Sequence, residues 1–425
     1  MNFAALPNLV ALAVLVAVFW AISRKATSQQ VQLWLLGWIL VLVHFAATLP
    51  VPTGEIWTRV TTILAVGSLI LASLMFLISV ASIAVNRRRQ LELTIALAVP
   101  ALAYGSGAIC GIDSPQYYYL LIVLGTCAPL FLVWRYRRGD KLYLAGVALV
   151  GLLVAVVIAR QVAAGNPGLG LVAILATLNA ATAVHYWRQH RRSTAGVLTT
   201  VCGFVLWGAV FPTAALLQVV APAVKVDSEV WNIPKYLVAV GMILTLLEDQ
   251  IQKSTFLAYH DELTDLPNRR LLQDRLDQSL AQAKRAGGKV AVFVLDLDRF
   301  KEVNDNFGHR VGDIALQQVA ARLGNRIRAC DTLARSGGDE FTVVCQVSSE
   351  ESAVALLSAL EAALSEPFVI EGKEVRTGLS IGLALYPDDG SNADQLCAAA
   401  DRGMYVAKKS GRHFGSGVSI GRATT

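Results

Sequence analysis

The sequence predicts an all-α polytopic membrane domain followed by an α/β domain. Three observations carry this. Long apolar runs fill the chain up to residue 247. Cationic residues recur in alternate loops between those runs. After residue 260, short β-branched strands alternate with amphipathic helices. A chain of 425 residues holds two or three domains. Its 55% hydrophobic content and mean hydropathy of +0.52 exceed those of ordinary soluble proteins.

Nine membrane spans are expected, near 7–23, 31–49, 60–85, 91–112, 117–134, 142–159, 168–187, 195–221 and 233–247. Arg24-Lys25, Arg87-Arg88-Arg89, Arg135/Arg137/Arg138 with Lys141, and Arg188/Arg191/Arg192 fall in alternate loops. The intervening loops hold scattered cations such as Arg59, Arg160 and Lys225. The positive-inside rule makes the rich loops cytoplasmic, which puts the N-terminus outside and the C-terminal half inside. The first span is not expected to be a cleaved signal peptide, because no cation precedes it and the Arg-Lys pair follows it. His44 and His185 are expected to make helix–helix hydrogen bonds or interfacial anchors, although an intramembrane ionisable residue is always a functional candidate. Tyr117-Tyr118-Tyr119 and Trp57 look like interfacial aromatics.

Charge separates the halves. Residues 1–247 carry 16 Lys+Arg against 6 Asp+Glu, and the remainder 21 against 25. The basicity belongs to membrane-flanking loops, so a nucleic-acid surface is not expected. The six cysteines form no Cys-x-x-Cys pair and read as reduced thiols.

Residues 248–260 contain no Pro or Gly, so the last span should continue as a helical stalk. Leu247, Ile251 and Ser254 share a face, which suits either a short coiled-coil seam or a rigid stalk without pairing. Beyond it the expected order is helix 268–286, strand 289–295, helix 301–305, helix 312–328, hairpin 332–345, helix 351–364, a short strand at 368–370, strand 375–386 and helix 393–409. Mixed strands with covering helices imply an α/β sandwich.

The chemistry concentrates at Arg335-Ser336-Gly337-Gly338-Asp339-Glu340-Phe341, a β-hairpin with an acidic tip. Its glycines supply the turn and let a bulky ligand approach bare backbone. Asp339 and Glu340 place oxygen ligands where a hard cation could sit. Upstream, the apolar strand ends in Asp296-Leu297-Asp298. Asp296 and Asp298 share a face, and a carboxylate there is costly unless paired or metal-bound. An EF-hand loop does not fit, because its third acidic position and glycine are missing. Asn304 and Asp313 suit a guanine edge, or equally a helix or turn cap.

The hairpin, Asp261-Glu262-Leu263-Thr264-Asp265-Leu266-Pro267-Asn268-Arg269, the stretch from Asp296 to Asp313, and Ala400-Asp401 through Gly411-Arg412 together resemble the GGDEF domain of diguanylate cyclases. The resemblance covers about residues 255–415. It divides the chain into a polytopic region (1–247), a stalk (248–260), a cyclase domain (261–415) and a tail (416–425). It implies the palm-like fold of nucleotidyl cyclases, and condensation of two GTP into cyclic di-GMP and two pyrophosphates. It implies Mg²⁺, or Mn²⁺, held by Asp296, the Leu297 carbonyl and Asp339. One of Asp339 and Glu340 would assist removal of the 3′ proton, and Lys301 would stabilise phosphate charge. Asn304, His309 and Asp313 would contact guanosine, Gly337 and Gly338 would line the nucleotide, and Lys408 and Arg412 would reach the triphosphate. Asp298 is either a second-metal ligand or a structural hydrogen-bonder. Arg328 and Asp331, with five residues between Asp331 and Gly337, match the family's inhibitory product site. A homodimer in a bacterial inner membrane is implied, with GTP as substrate and cyclic di-GMP as product and feedback inhibitor. Gly403 stands where the family more often has alanine. No Glu-Ala-Leu phosphodiesterase module is expected. The alternatives are a catalytically silent receptor for nucleotide or cyclic di-GMP, and a transporter whose cytosolic half mediates assembly.

Overall fold

The structure is a computed structural model that describes residues 6–409, except 25–27, 52, 82–86, 137–140, 192, 225 and 227. The chain forms two compact units, Met1–Asp249 and Gln250–Thr425.

Among the described residues nine helices are long and apolar enough to cross a membrane. They are α1 (Leu6–Ser23), α2 (Gln29–Ala47), α3 (Glu55–Val80), α4 (Arg87–Cys110), α5 (Pro115–Tyr136), α6 (Lys141–Ala163), α7 (Pro167–His190), α8 (Ala195–Val220) and α9 (Ser228–Tyr259). The core is aromatic, with Trp34, Trp38, Phe76, Phe204 and Trp207 fully buried. Apolar side chains such as Leu149, Leu153 and Val156 on α6 face outward, as lipid permits and water would not. His44 Nδ1–H donates to the Ala65 carbonyl at 2.8 Å and ties α2 to α3. His185 Nδ1–H donates to Ala181 O, and its Nε2 accepts from the Tyr143 hydroxyl at 3.1 Å. Two of the expected interfacial aromatics also pack within the bundle. Tyr117 donates to Ala103 O, and the buried Tyr118 donates to Ile112 O. With no Pro or Gly between residues 244 and 257, α9 runs on as one helix of 32 residues.

The second unit contains α10 (Arg269–Ala286), β1 (Lys289–Asp298), α11 (Phe300–Phe307), α12 (His309–Gly324), β2 (Thr332–Gly337), β3 (Glu340–Val347), α13 (Glu350–Ala363), β4 (Phe368–Ile370), β5 (Lys373–Val375), β6 (Gly378–Tyr386) and α14 (Ala393–Lys409). The main sheet has the order β2-β3-β1-β6, and β4 pairs with β5 in a small ribbon. All these pairings are antiparallel rather than mixed. β1 is apolar on both faces because both are covered. Ala291, Phe293, Leu295 and Leu297 join the core with α11, α12 and α13. Val290 and Val292 pack with α10 and α14.

α10 buries Leu272, Leu276, Leu280 and Ala283 at helical spacing, each leucine contributing about 2 kcal/mol. Asn268 caps it by accepting from the Arg270 and Leu271 amides, and Gly287 ends it at φ 67°. Several boundaries differ from expectation. β1 runs through Asp298, so Asp296 and Asp298 lie within a paired strand and not beyond its end. α12 spans His309–Gly324, which places Arg328 after the helix. The stretch 375–386 divides into the end of β5 and all of β6.

Candidate active site

β1 and β3 bring the acidic groups together. Asp296 is directly opposite Glu340 in the β1–β3 register and opposite Ser380 in β1–β6. Gly337 pairs with Glu340, so the hairpin turns over two residues, Gly338 and Asp339. Gly337 and Gly338 have φ values of 151° and 54°, which favour glycine. The Leu297 amide donates to the Asp339 carbonyl at 3.3 Å and docks the turn on the end of β1. Asp296, Leu297, Asp339 and Glu340 therefore converge.

Lys408 joins them from α14. Its Nζ donates to Asp296 Oδ1 at 2.6 Å. The reach depends on Gly382 of β6, where any Cβ would run into the Ala400 carbonyl and the Met404 amide. Bare backbone at Gly382 lets α14 settle close to the sheet.

The carboxyls pay for their crowding. Asp296 is 6% exposed, and burial pushes its carboxyl above the usual aspartate range. Lys408 opposes that rise, while Asp339 and Asp298 add to it. Burial also raises Glu340, with Asp296, Asp401 and Asp339 reinforcing the shift. The hydrogen bond to Asp296 raises Lys408 against a smaller opposing effect of burial, and the neighbouring carboxylates add to the rise.

Asp298 has a local role. Its Oδ1 accepts from Ser380 Oγ at 2.6 Å, and its carbonyl accepts from Thr377 Oγ1 at 3.0 Å. A Cβ at Gly378 would collide with its carboxylate. These contacts support the structural reading of Asp298.

The guanosine candidates lie on α11 and α12. The Asn304 carboxamide packs against Gly312, where a Cβ would strike Oδ1. This brings Asn304 beside the first turn of α12, which carries His309 and Asp313. Both of those residues are exposed, as is Lys301 one turn before Asn304. No hydrogen bond joins Lys301, His309 or Asp313 to the acidic group among the described residues. Arg412 lies outside the described residues.

Arg328 and Asp331 lie elsewhere, at a cavity of about 460 Å³ that Arg275 of α10 also lines. Asp331 Oδ2 accepts from the Arg328 amide at 2.9 Å, which closes the turn between them.

Sequence reasoning assigned no role to Arg335. Its Nη1 donates to both Asp261 oxygens, at 2.8 and 3.1 Å, and its Nε and Nη2 donate to the Gly338 carbonyl. Asp401 and Arg275 were missed too. Their partners are distant in sequence, so no local pattern marked them.

The donor set fits a hard divalent cation in part. Among the described residues no three His, Cys, Asp or Glu side chains form a complete metal site. Mg²⁺ ordinarily takes one or two carboxylates and completes its shell with water and substrate phosphate. Two carboxylates and a carbonyl, crowded and half-buried, match that habit. A family model described as "Diguanylate cyclase, GGDEF domain" matches residues 258–413.

This chain belongs to the GGDEF family. Its GGDEF domain is 41% identical over 191 residues to the bifunctional diguanylate cyclase/cyclic di-GMP phosphodiesterase MucR of Pseudomonas aeruginosa. That match covers 41% of this chain and 28% of MucR. It is 38% identical over 168 residues to the diguanylate cyclase TpbB of the same species, covering 39% of each. The chain thus spans well under two thirds of these relatives. The crystal structure of the TpbB GGDEF domain is 38% identical, covers 35% of this chain and 92% of that one, and superposes with a TM-score of 0.34.

Proposed function

We propose that the protein is a membrane-tethered diguanylate cyclase that condenses two GTP into cyclic di-GMP and two pyrophosphates. The observation that carries this is the buried Asp296 set against Glu340 and Asp339. So costly a cluster of carboxylates at a glycine turn suits a site that meets a cation and a nucleotide.

Each GTP 3′-oxygen attacks the α-phosphorus of the other nucleotide. A 3′-O–P bond forms, the α–β bond breaks, and pyrophosphate leaves. Mg²⁺, or Mn²⁺, held by Asp296, the Leu297 carbonyl and Asp339 would acidify the hydroxyl and offset phosphate charge. Glu340, whose carboxyl is raised, accepts the 3′ proton. Bare backbone at Gly337 and Gly338 lets the nucleotide lie against the hairpin. Asn304, with Asp313 and His309 near it, contacts guanosine. Lys301, Lys408 and Arg412 meet the triphosphate.

One domain carries one set of guanosine contacts, while the product joins two GTP. Two copies must therefore face each other about a two-fold axis. The cationic loops orient the chain with the GGDEF domain in the cytoplasm of a bacterium and the N-terminus outside the inner membrane. A signal received in the membrane unit changes how often the two sites meet. Cyclic di-GMP returns to the cavity at Arg328 and Asp331 and holds the sites apart.

The test is product analysis after incubating purified full-length protein with GTP and Mg²⁺. Cyclic di-GMP and two equivalents of pyrophosphate are expected, with specific activity falling on dilution to monomers. GTP binding without product would identify a silent receptor instead.

A further inference from the structure

The membrane unit contains a buried cation that the sequence pattern hides. Lys235 of α9 is 8% exposed. Its depth follows from the crossing of α8 and α9. A Cβ on Gly196 would strike Thr245, one on Gly203 would strike Val238, and one on Gly241 would strike Thr200. These contacts share one antiparallel register. Continued by three residues, it sets Lys235 level with Leu206, beside Trp207 near the middle of the 26-residue α8. Lys235 therefore lies level with the middle of α8 and inside the bundle, where a charge is costly.

Its partners do not neutralise it. Nζ donates to Asn232 Oδ1 at 2.6 Å and lies 4.9 Å from the Phe45 ring centre and 5.9 Å from that of Trp207. Among the described residues it forms no ion pair with a carboxylate. An independent observation points to the same place. The indole Nε1 atoms of Trp38 and Trp207 are buried without a hydrogen-bond partner among the described residues. Both side chains are 0% exposed, and their rings stack at 6.4 Å. Lipid offers no water to satisfy them. Two unmet donors and an ammonium thus gather among aromatic rings, with one amide oxygen to accept.

We propose that this centre binds an apolar carboxylate. Its carboxylate would take the Lys235 ammonium and the indole N–H groups, and its apolar body would lie along the rings of Phe45, Trp38 and Trp207. Binding draws Lys235 off Asn232 and so acts on α9, the helix that runs on to Tyr259. The site does not depend on the cyclase reading, because its test reads occupancy and not turnover.

The test uses purified full-length protein in lipid nanodiscs, with decanoate as the probe and decanol and decyltrimethylammonium as controls. Decanoate should raise the unfolding midpoint saturably, by about 3 °C, and the controls should not. Lys235→Met should abolish the shift without lowering the midpoint of the unliganded protein, and Lys235→Arg should retain it. Trp207→Phe keeps the ring and removes the donor, so it should weaken the apparent affinity severalfold. The proposal is overturned if no saturable shift occurs, if decanol matches decanoate, or if Lys235→Met shifts like the wild type. Should Lys235→Met not fold, unchanged affinity in Trp207→Phe overturns it alone.

Discussion

Arg335 and Asp261, 74 residues apart, are joined by a forked ion pair at 2.8 and 3.1 Å. Asp261 follows closely on the end of α9, and Arg335 begins the approach to the glycine turn. The same guanidinium holds the Gly338 carbonyl at 2.9 and 2.6 Å. The Arg335 amide adds a bond to Pro267 O at 2.9 Å, and the Asp261 amide another to Leu266 O at 2.8 Å. One side chain thus couples the entry of the GGDEF domain to the apex of its glycine hairpin.

Arg335→Ala should therefore lower turnover at least tenfold by loosening the hairpin. The pair is only 11% and 23% exposed at its side chains, so breaking it should cost about 2 kcal/mol. Burial works to raise the Asp261 carboxyl, but bonds from Thr264 and Arg335 outweigh it and leave it lowered. A lowered carboxylate stabilises the fold fully above its unfolded pKa of about 3.9. That contribution is lost as the pH falls through the folded value. Thermal unfolding of wild type and mutant should differ at pH 7 and converge in acid.

Asp296 has the opposite sign. Its carboxyl is raised, chiefly by burial, so the fold favours its protonated form. Its contribution to stability is greatest below the unfolded pKa and is lost as the pH rises through the folded value. Asp296→Asn should abolish synthesis, since a lost ligand costs several kcal/mol of transition-state stabilisation. In EDTA at pH 8 the same mutant should melt higher than the wild type. A lower midpoint would show that the Lys408 pair, not the crowding, dominates this site.

How much of this was legible varied with the physics involved. The nine long apolar helices were readable because composition alone marks them. The hairpin was readable because its turn is local and demands glycine. The end of β1 was not, since apolarity stops at Leu295 while pairing with Glu340, Ser380 and Gly378 carries the strand to Asp298. α12 starts early because Gly308, at φ 85°, ends α11 and opens α12 in one residue. Gly312, expected as the first residue of the helix, lies inside α12, where its bare backbone admits Asn304. The Lys408–Asp296 bond spans 112 residues and left no local trace. Lys235 falls inside the expected span 233–247 with nothing local to mark it, and only the α8–α9 register shows where it sits.

Gly382→Ala tests how the helix sets the site. Its Cβ has no room against the Ala400 carbonyl, which is backbone and cannot swing aside. Overpacking of this kind costs about 1–3 kcal/mol. α14 should shift outward and draw Lys408 from Asp296. Turnover should fall at least tenfold while the domain stays folded by circular dichroism. Full activity in a folded mutant would show that α14 need not sit this close.

Feedback is expected at the cavity beside Arg328 and Asp331. Arg presents a planar fork to a guanine edge or phosphate, and a carboxylate accepts from guanine N1 and N2. Arg328, Asp331 and Arg275 line one cavity of about 460 Å³. Asp331 Oδ2 is engaged by the Arg328 amide, which orients the carboxylate without using all of its acceptor capacity. Product bound there is remote from the acidic cluster, so inhibition should be non-competitive with GTP. Arg328→Ala should raise the inhibition constant at least tenfold, as the loss of a charged hydrogen bond of about 1.5–3 kcal/mol requires. Arg275→Ala should weaken inhibition as well, because Arg275 of α10 also lines this cavity. Initial rates without added product should change little in either mutant. Initial rates measured against added cyclic di-GMP decide it, and inhibition absent from the wild type or unaltered in Arg328→Ala would remove this cavity as the feedback site.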